Sequence, residues 1–173
     1  DGASVLSEDK RWDVFPAAAV AWRISDEAFM SDIKAISDLK LRASYGVTGN
    51  AGAAEYATIQ NIRANKFAFG SDVQNSSGYS NEMANKDLGW EKSYMVDLGL
   101  DLALFKNRLN FVLDWYRTTT KDVLYQKKLP MAVGGYGTGG LSIWANVGET
   151  RNTGWEVAIT SRNIIKKDFT WTT

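Results

Sequence analysis

The chain has 173 residues and 45% hydrophobic content, enough to bury a core, and its 20 Lys and Arg balance 20 Asp and Glu, which removes any electrostatic reason to expect nucleic acid. It holds no Cys and no His, which excludes thiol redox chemistry, Cys/His zinc sites, a Ser-His-Asp triad and an imidazole pH switch. No run approaches the roughly 18 apolar residues of a membrane helix. The mean hydropathy of -0.28 resembles that of a soluble protein, but barrel strands escape such a test because half their residues are polar.

In chain order, Asp1-Gly2-Ala3-Ser4 is not a basic-then-apolar leader and reads as a loop entered midway. The first strand is expected over about Val14 to Ile24, with Ala18, Val20, Trp22 and Ile24 on one face and Ala17, Ala19, Ala21 and Arg23 on the other; Pro16 must sit near its end. Ser25-Asp26-Glu27 followed by Ala28, Phe29 and Met30 resembles a capped helical turn in a modest connector ending at Asp38. The second strand, Leu39 to Thr48, sets Leu39, Leu41, Ala43, Tyr45 and Val47 against Lys40, Arg42, Ser44, Gly46 and Thr48. A one-residue slip would bury Lys40 and Arg42, so its register is firmly set. Residues 49–90 form a long loop rich in Asn, Ser, Gly and Ala, with a weak strand signal at Lys66 to Phe69.

The clearest pattern follows. Tyr94, Val96, Leu98, Leu100, Leu102 and Leu104 share one parity, while Met95, Asp97, Gly99, Asp101 and Ala103 share the other. After a tight turn at Lys106-Asn107, Leu109, Phe111, Leu113 and Trp115 face one way and Asn110, Val112, Asp114 and Tyr116 the other. Alternation over about ten residues per strand exceeds the usual five or six and matches the nine to eleven that cross a bilayer at a tilt. A second long loop covers 121–145. The fifth strand, about Asn152 to Ser161, opposes Trp155, Val157 and Ile159 to Glu156, Ala158 and Thr160. Upstream, Glu149 and Arg151 fall on the apolar parity, so that part projects beyond lipid or contains a bulge. A polar turn around Asn163 to Asp168 leads into a sixth strand at Phe169, which stops soon after it starts and suggests a piece of a longer chain.

The connections alternate short and long, as in outer-membrane barrels with short periplasmic turns and long extracellular loops. Tyr45, Trp90, Tyr94 and Trp115 fall toward the long-loop end and Trp22, Phe105 and Trp171 toward the short-turn end, as two interfacial girdles require; Trp155 is assigned to neither. The fold class expected is therefore all-β, an antiparallel transmembrane barrel segment. The competing architecture is a soluble β-sandwich, carbohydrate-binding or adhesin-like, whose aromatics fill a core.

No catalytic, cofactor or metal site emerges. Gly135-Tyr136-Gly137-Thr138-Gly139-Gly140 satisfies G-x-G-x-x-G, but no parallel strand precedes it and no helix follows to meet a phosphate. Asp97 and Asp101 share a face about 13 Å apart, too far for a glycosidase pair. Glu149, Arg151 and Glu156 read as paired surface or lumen charges. Tyr125, Tyr136 and Trp144 near the second long loop have faces suited to stacking on sugars, though loop aromatics are as often packing anchors.

Four ordered motifs, LKLRASYGVTGN from Leu39, LGWEKS from Leu88, GLDLALFKNRLNFVLDWYRTTTKDVLY from Gly99 and NVGETRNTGWEV from Asn146, together with WDVFPAAAVAWRIS from Trp12, resemble the SusC/RagA family of TonB-linked outer-membrane transporters. That resemblance implies a barrel of about 22 strands in the outer membrane of Bacteroidota-type bacteria, with a plug inside the lumen. It also implies a SusD-like surface lipoprotein as lid, energising by the TonB-ExbB-ExbD complex, and a glycan or oligopeptide as cargo. On this reading Lys40, Arg42, Asp97, Asp101 and Asp114 face plug or lumen water, the Leu and aromatic faces meet outer-membrane lipid, and the work is import rather than catalysis. A siderophore-type TonB-dependent transporter without a lid shares the same fold.

Overall fold

The computed structural model of the protein describes residues 1–134 and 140–173. Its strands are β1 (Ala17–Arg23), β2 (Ile36–Asn50), β3 (Ile62–Phe69), β4 (Asp72–Tyr79), β5 (Glu82–Met83), β6 (Glu91–Leu104), β7 (Leu109–Lys121), β8 (Leu124–Lys128), β9 (Ser142–Asn146), β10 (Glu149–Lys166) and β11 (Phe169–Thr172). The chain forms two compact units.

The first unit comprises Pro16–Val47, Ser93–Thr119 and Arg151–Thr173, and its strands belong to one six-stranded sheet in the order β1-β2-β6-β7-β10-β11. These are the six strands expected from alternation, in sequence order, so the sheet is a meander. Register explains why it holds. Ala18 pairs with Tyr45, Val20 with Ala43 and Trp22 with Leu41, while Ala19 pairs with Ser44, Ala21 with Arg42 and Arg23 with Lys40. Both apolar sets thus meet on one face and both polar sets on the other.

Two details differ from expectation. The connector after β1 consists of short 3-10 turns at Ile24–Asp26 and Ala28–Met30 without a side-chain cap. Ser25, instead of capping, donates its hydroxyl to Asp38 at 2.9 Å. β10 runs on to Lys166, and its turn to β11 is only Lys167 and Asp168. The irregularity in its pairing with β11 falls between Arg162 and Ile164, changing parity so that Ile164 comes opposite Trp171.

The β6–β7 hairpin turns through Phe105, Lys106 and Asn107, all left-handed with φ of 53°, 57° and 62°. The Arg108 amide closes the turn onto the Leu104 carbonyl at 3.0 Å. Three such residues in a row are costly for side chains with a Cβ; the strands on either side hold them there.

The sheet unit has almost no core. Among its described hydrophobic side chains only Val47 and Ala103 are buried, whereas Val20 is 68% and Trp155 67% exposed. A soluble sheet with such a face would need a covering layer, as sandwiches have.

The second unit, Asp1–Phe15, Thr48–Lys92 and Thr120–Thr150, does have a core. Leu6 and Leu88 are completely buried and pack with Ala57, flanked by Trp90, Leu124 and Trp144. The unit also holds a β3–β4 hairpin and a three-stranded sheet in the order β5-β9-β8. The two long loops therefore carry regular structure where the sequence suggests only a short strand at Lys66 to Phe69. Ser7, buried beside Leu6, donates its hydroxyl to the carbonyls of Lys86 and Leu88, tying the start of the chain to the segment before β6.

Candidate functional site

The polar face of the sheet unit is organised by one guanidinium. Arg42 on β2 donates from Nε and Nη2 to the two carboxylate oxygens of Asp101 on β6, each at 3.0 Å, and from Nη2 to Asp114 on β7 at 2.7 Å. This fork-to-carboxylate pairing is the geometry for which Arg is suited and Lys is not. The three side chains are 33%, 31% and 21% exposed, so the bonds are partly shielded from water and bind three neighbouring strands together.

Gly99 makes the arrangement possible. A Cβ there would lie 2.5 Å from Asp114 Oδ1 and 2.6 Å from Arg42 Cζ and Nη2. The guanidinium crosses β6 where a side chain is missing. Gly154 on β10 does the same for Tyr116, whose hydroxyl would stand 2.6 Å from an added Cβ. Asp97, Asp114, Tyr116 and Glu156 line this face with Ser44. Lys40 lies opposite Arg23 toward the short-turn end, and Arg23 itself pairs with Asp38 at 3.2 Å.

The opposite face is apolar. Val20, Trp22, Leu41, Leu98, Leu113 and Trp115 line a groove of about 750 Å³ whose walls are almost wholly carbon. Trp115 and Trp155 close one side with ring centroids 6.4 Å apart, which puts Trp155 on the same face as Trp115. The guanidinium of Arg117 sits over the Trp115 ring at 5.4 Å.

In the second unit, Lys92 pairs with Asp13, and this hydrogen bond holds the Asp13 carboxyl below its ordinary value of 3.8, against the opposing effect of burial. Asn146 clasps two segments: it exchanges hydrogen bonds with the Gly89 backbone at 2.8 and 2.9 Å and donates to the Asp122 carbonyl at 3.0 Å. Trp144 packs against the Leu6–Leu88 core and is a packing anchor, not a free stacking platform. Trp90, expected in a girdle, packs there too and meets Phe15 edge-on at 5.0 Å. Both indole N–H groups are buried with no hydrogen-bond partner among the described residues. Tyr125 is 60% exposed. Tyr136 and the glycine run from Gly135 to Gly139 lie outside the described residues. Glu149 opens β10. Among the described residues no group of three or more acidic side chains is placed to hold a metal, and no helix is long and apolar enough to cross a membrane.

A strand meander with a continuous apolar face, a charged face cross-linked by Arg42, and no core between them has the pattern of a segment of transmembrane β-barrel wall, an architecture in which the apolar face needs no covering layer of protein. The chain matches the family model described as TonB dependent receptor-like, beta-barrel, over residues 1–173, and belongs to that family. It is 40% identical to TonB-dependent receptor P3 of Formosa agariphila, covering 100% of this chain and 17% of that receptor. It is 33% identical to TonB-dependent receptor SusC of Bacteroides thetaiotaomicron, covering 99% of this chain and 17% of that one. Among solved structures, the RagAB peptide importer in its closed-closed state superposes with a TM-score of 0.81 at 28% identity, covering 98% of this chain and 18% of the other. The SusC/RagA resemblance read from the motifs is thus borne out, and the chain spans under one fifth of the length of these relatives.

Proposed function

We propose that the chain forms part of the wall of a TonB-dependent outer-membrane importer of a nutrient, a glycan or an oligopeptide. In this reading the barrel works beneath a SusD-like lipoprotein and draws energy from the TonB-ExbB-ExbD complex. The observation that carries the proposal is the two-faced sheet in a chain matching a barrel family along its whole length. Lipid solvates the Leu and Trp face, and the Arg42–Asp101–Asp114 face meets the water or plug of the lumen. The long connections, with their own core, stand on the extracellular side. The likeness to the RagAB peptide importer supports the oligopeptide class; the glycan class rests on the motif resemblance alone. The chain's work is transport and not catalysis.

The test is to purify the intact protein from native outer membranes in mild detergent, identify what accompanies it, and grow a deletion strain on defined glycans or peptides. Copurification of a surface lipoprotein with loss of growth on one nutrient class is expected. A barrel without a lipoprotein, whose deletion impairs only iron acquisition, would replace this reading with the siderophore type.

A further inference from the structure

We propose that the outer face of the sheet carries a specific site for a phosphate-bearing membrane lipid, with an acyl chain in the groove beside Trp115 and the phosphate on Arg117. This goes beyond the import reading and does not depend on the cargo; it requires only that the sheet span a membrane.

Three observations converge. The groove's volume of about 750 Å³ lies within the range of small-molecule sites. Its lining of Val20, Trp22, Leu41, Leu98 and Leu113 offers a hydrocarbon chain contacts on several sides, which a flat barrel face would not. Arg117 stands two positions along β7 from Trp115, so both project from the same face. The cation is exposed and stacked at 5.4 Å on the ring that forms the groove wall, with no acidic partner among the described residues.

An Arg on the lipid face is strongly destabilising at the midplane and costs little near the interface. Arg117 lies toward the long-connection end of β7, the interfacial level at which Trp is at home. A guanidinium at that depth meets lipid phosphates, whose oxygens match its fork. The Trp115 ring holds the cation in place, so the fork is oriented before the lipid arrives. A neutral lipid would fill the groove and leave Arg117 unpaired. Free phosphate would meet the cation and leave the groove empty. Only an amphiphile with both parts satisfies the two.

The intact protein, purified from native membranes in mild detergent and delipidated, is titrated with phosphatidylglycerol and, in parallel, with diacylglycerol carrying the same chains, and bound lipid is read by native mass spectrometry. One phosphatidylglycerol per barrel should be retained in preference to diacylglycerol. Arg117→Gln should lower its retention at least fivefold, Arg117→Lys by a smaller factor, and Leu41→Trp, which fills the groove and leaves the cation, at least threefold. Heat-modifiable gel migration confirms that each variant is a folded barrel. Equal retention of the two lipids by the unaltered protein would overturn the proposal, and this comparison stands even if no variant assembles. Unchanged retention in Arg117→Gln would overturn it as well, as would a second protein chain on this face that Leu41→Trp displaces.

Discussion

Gly99→Ala tests the geometry of the charged face. The added Cβ would lie 2.5 Å from Asp114 Oδ1 and 2.6 Å from Arg42 Cζ and Nη2, closer than carbon can approach, so the guanidinium must lift from β6. The 2.7 Å bond to Asp114 is lost first, and the pair of 3.0 Å bonds to Asp101 is bent. A charge-assisted hydrogen bond is worth about 1.5–3 kcal/mol, and the 21–33% exposure of these groups argues for the lower half of that range over the bonds together. Replacing Gly by Ala in a strand returns about 0.5–1 kcal/mol of backbone entropy. The net expectation is a loss of about 1–2 kcal/mol. If Gly99 matters only because Arg42 crosses it, the same substitution in an Arg42→Met background should be neutral or slightly stabilising, a coupling of about 2 kcal/mol. Urea unfolding of the full-length barrel in phospholipid vesicles, followed by heat-modifiable gel mobility, measures all four proteins. Equal cost in both backgrounds, or no cost in either, would refute the reasoning.

Leu100→Arg, on the apolar parity of β6, should impair assembly in the outer membrane by about 2–4 kcal/mol if it lies near the midplane, read as a fall in the folded fraction on a heat-modifiable gel. Leu88→Ala removes a completely buried side chain from the second unit and should cost about 2–5 kcal/mol there; hydrogen exchange in the full-length protein should show faster exchange in that unit with protection of the wall strands retained. Because Lys92 holds the Asp13 carboxyl below 3.8, the pair's contribution is fully present above that value and is lost as pH falls through the depressed folded value. Proteolytic nicking of residues 1–15 should therefore increase below about pH 4, and Asp13→Asn should show the increased nicking already at neutral pH.

The wall was legible in the sequence because a single period organises it. Trp22, Leu41, Leu98 and Leu113 could be placed on one face from parity alone, and the register of β1 with β2 had only one arrangement that kept Lys40 and Arg42 off the lipid. Parity also put Arg42, Asp97, Asp101 and Asp114 together on the other face, but not which of them bond. That choice depends on inter-strand register and on the absence of a side chain at Gly99, which a strand-by-strand pattern does not contain. The strands of the long connections escaped for a different reason. β4, with Asn75, Ser76, Ser77 and Gly78, carries no apolar alternation, and β5 is two residues paired in parallel with β9 far along the chain. Trp90 and Trp144 belong to the same difficulty: an aromatic in a loop has the same letter whether it meets lipid, sugar or a Leu6–Leu88 core.

These 173 residues hold no Cys, so single cysteines can label the wall once any cysteines elsewhere in the full-length protein are replaced by Ser. Single cysteines placed in turn at positions 97 to 102 and 111 to 116 of the full-length protein, spin-labelled in the membrane, report their access to lipid-soluble oxygen and to a water-soluble nickel chelate. Strict two-residue alternation is expected, with Leu98, Leu100, Leu102, Phe111, Leu113 and Trp115 open to oxygen and Asp97, Asp101 and Asp114 shielded from it. Uniform access to the chelate on both parities would contradict a membrane-spanning wall.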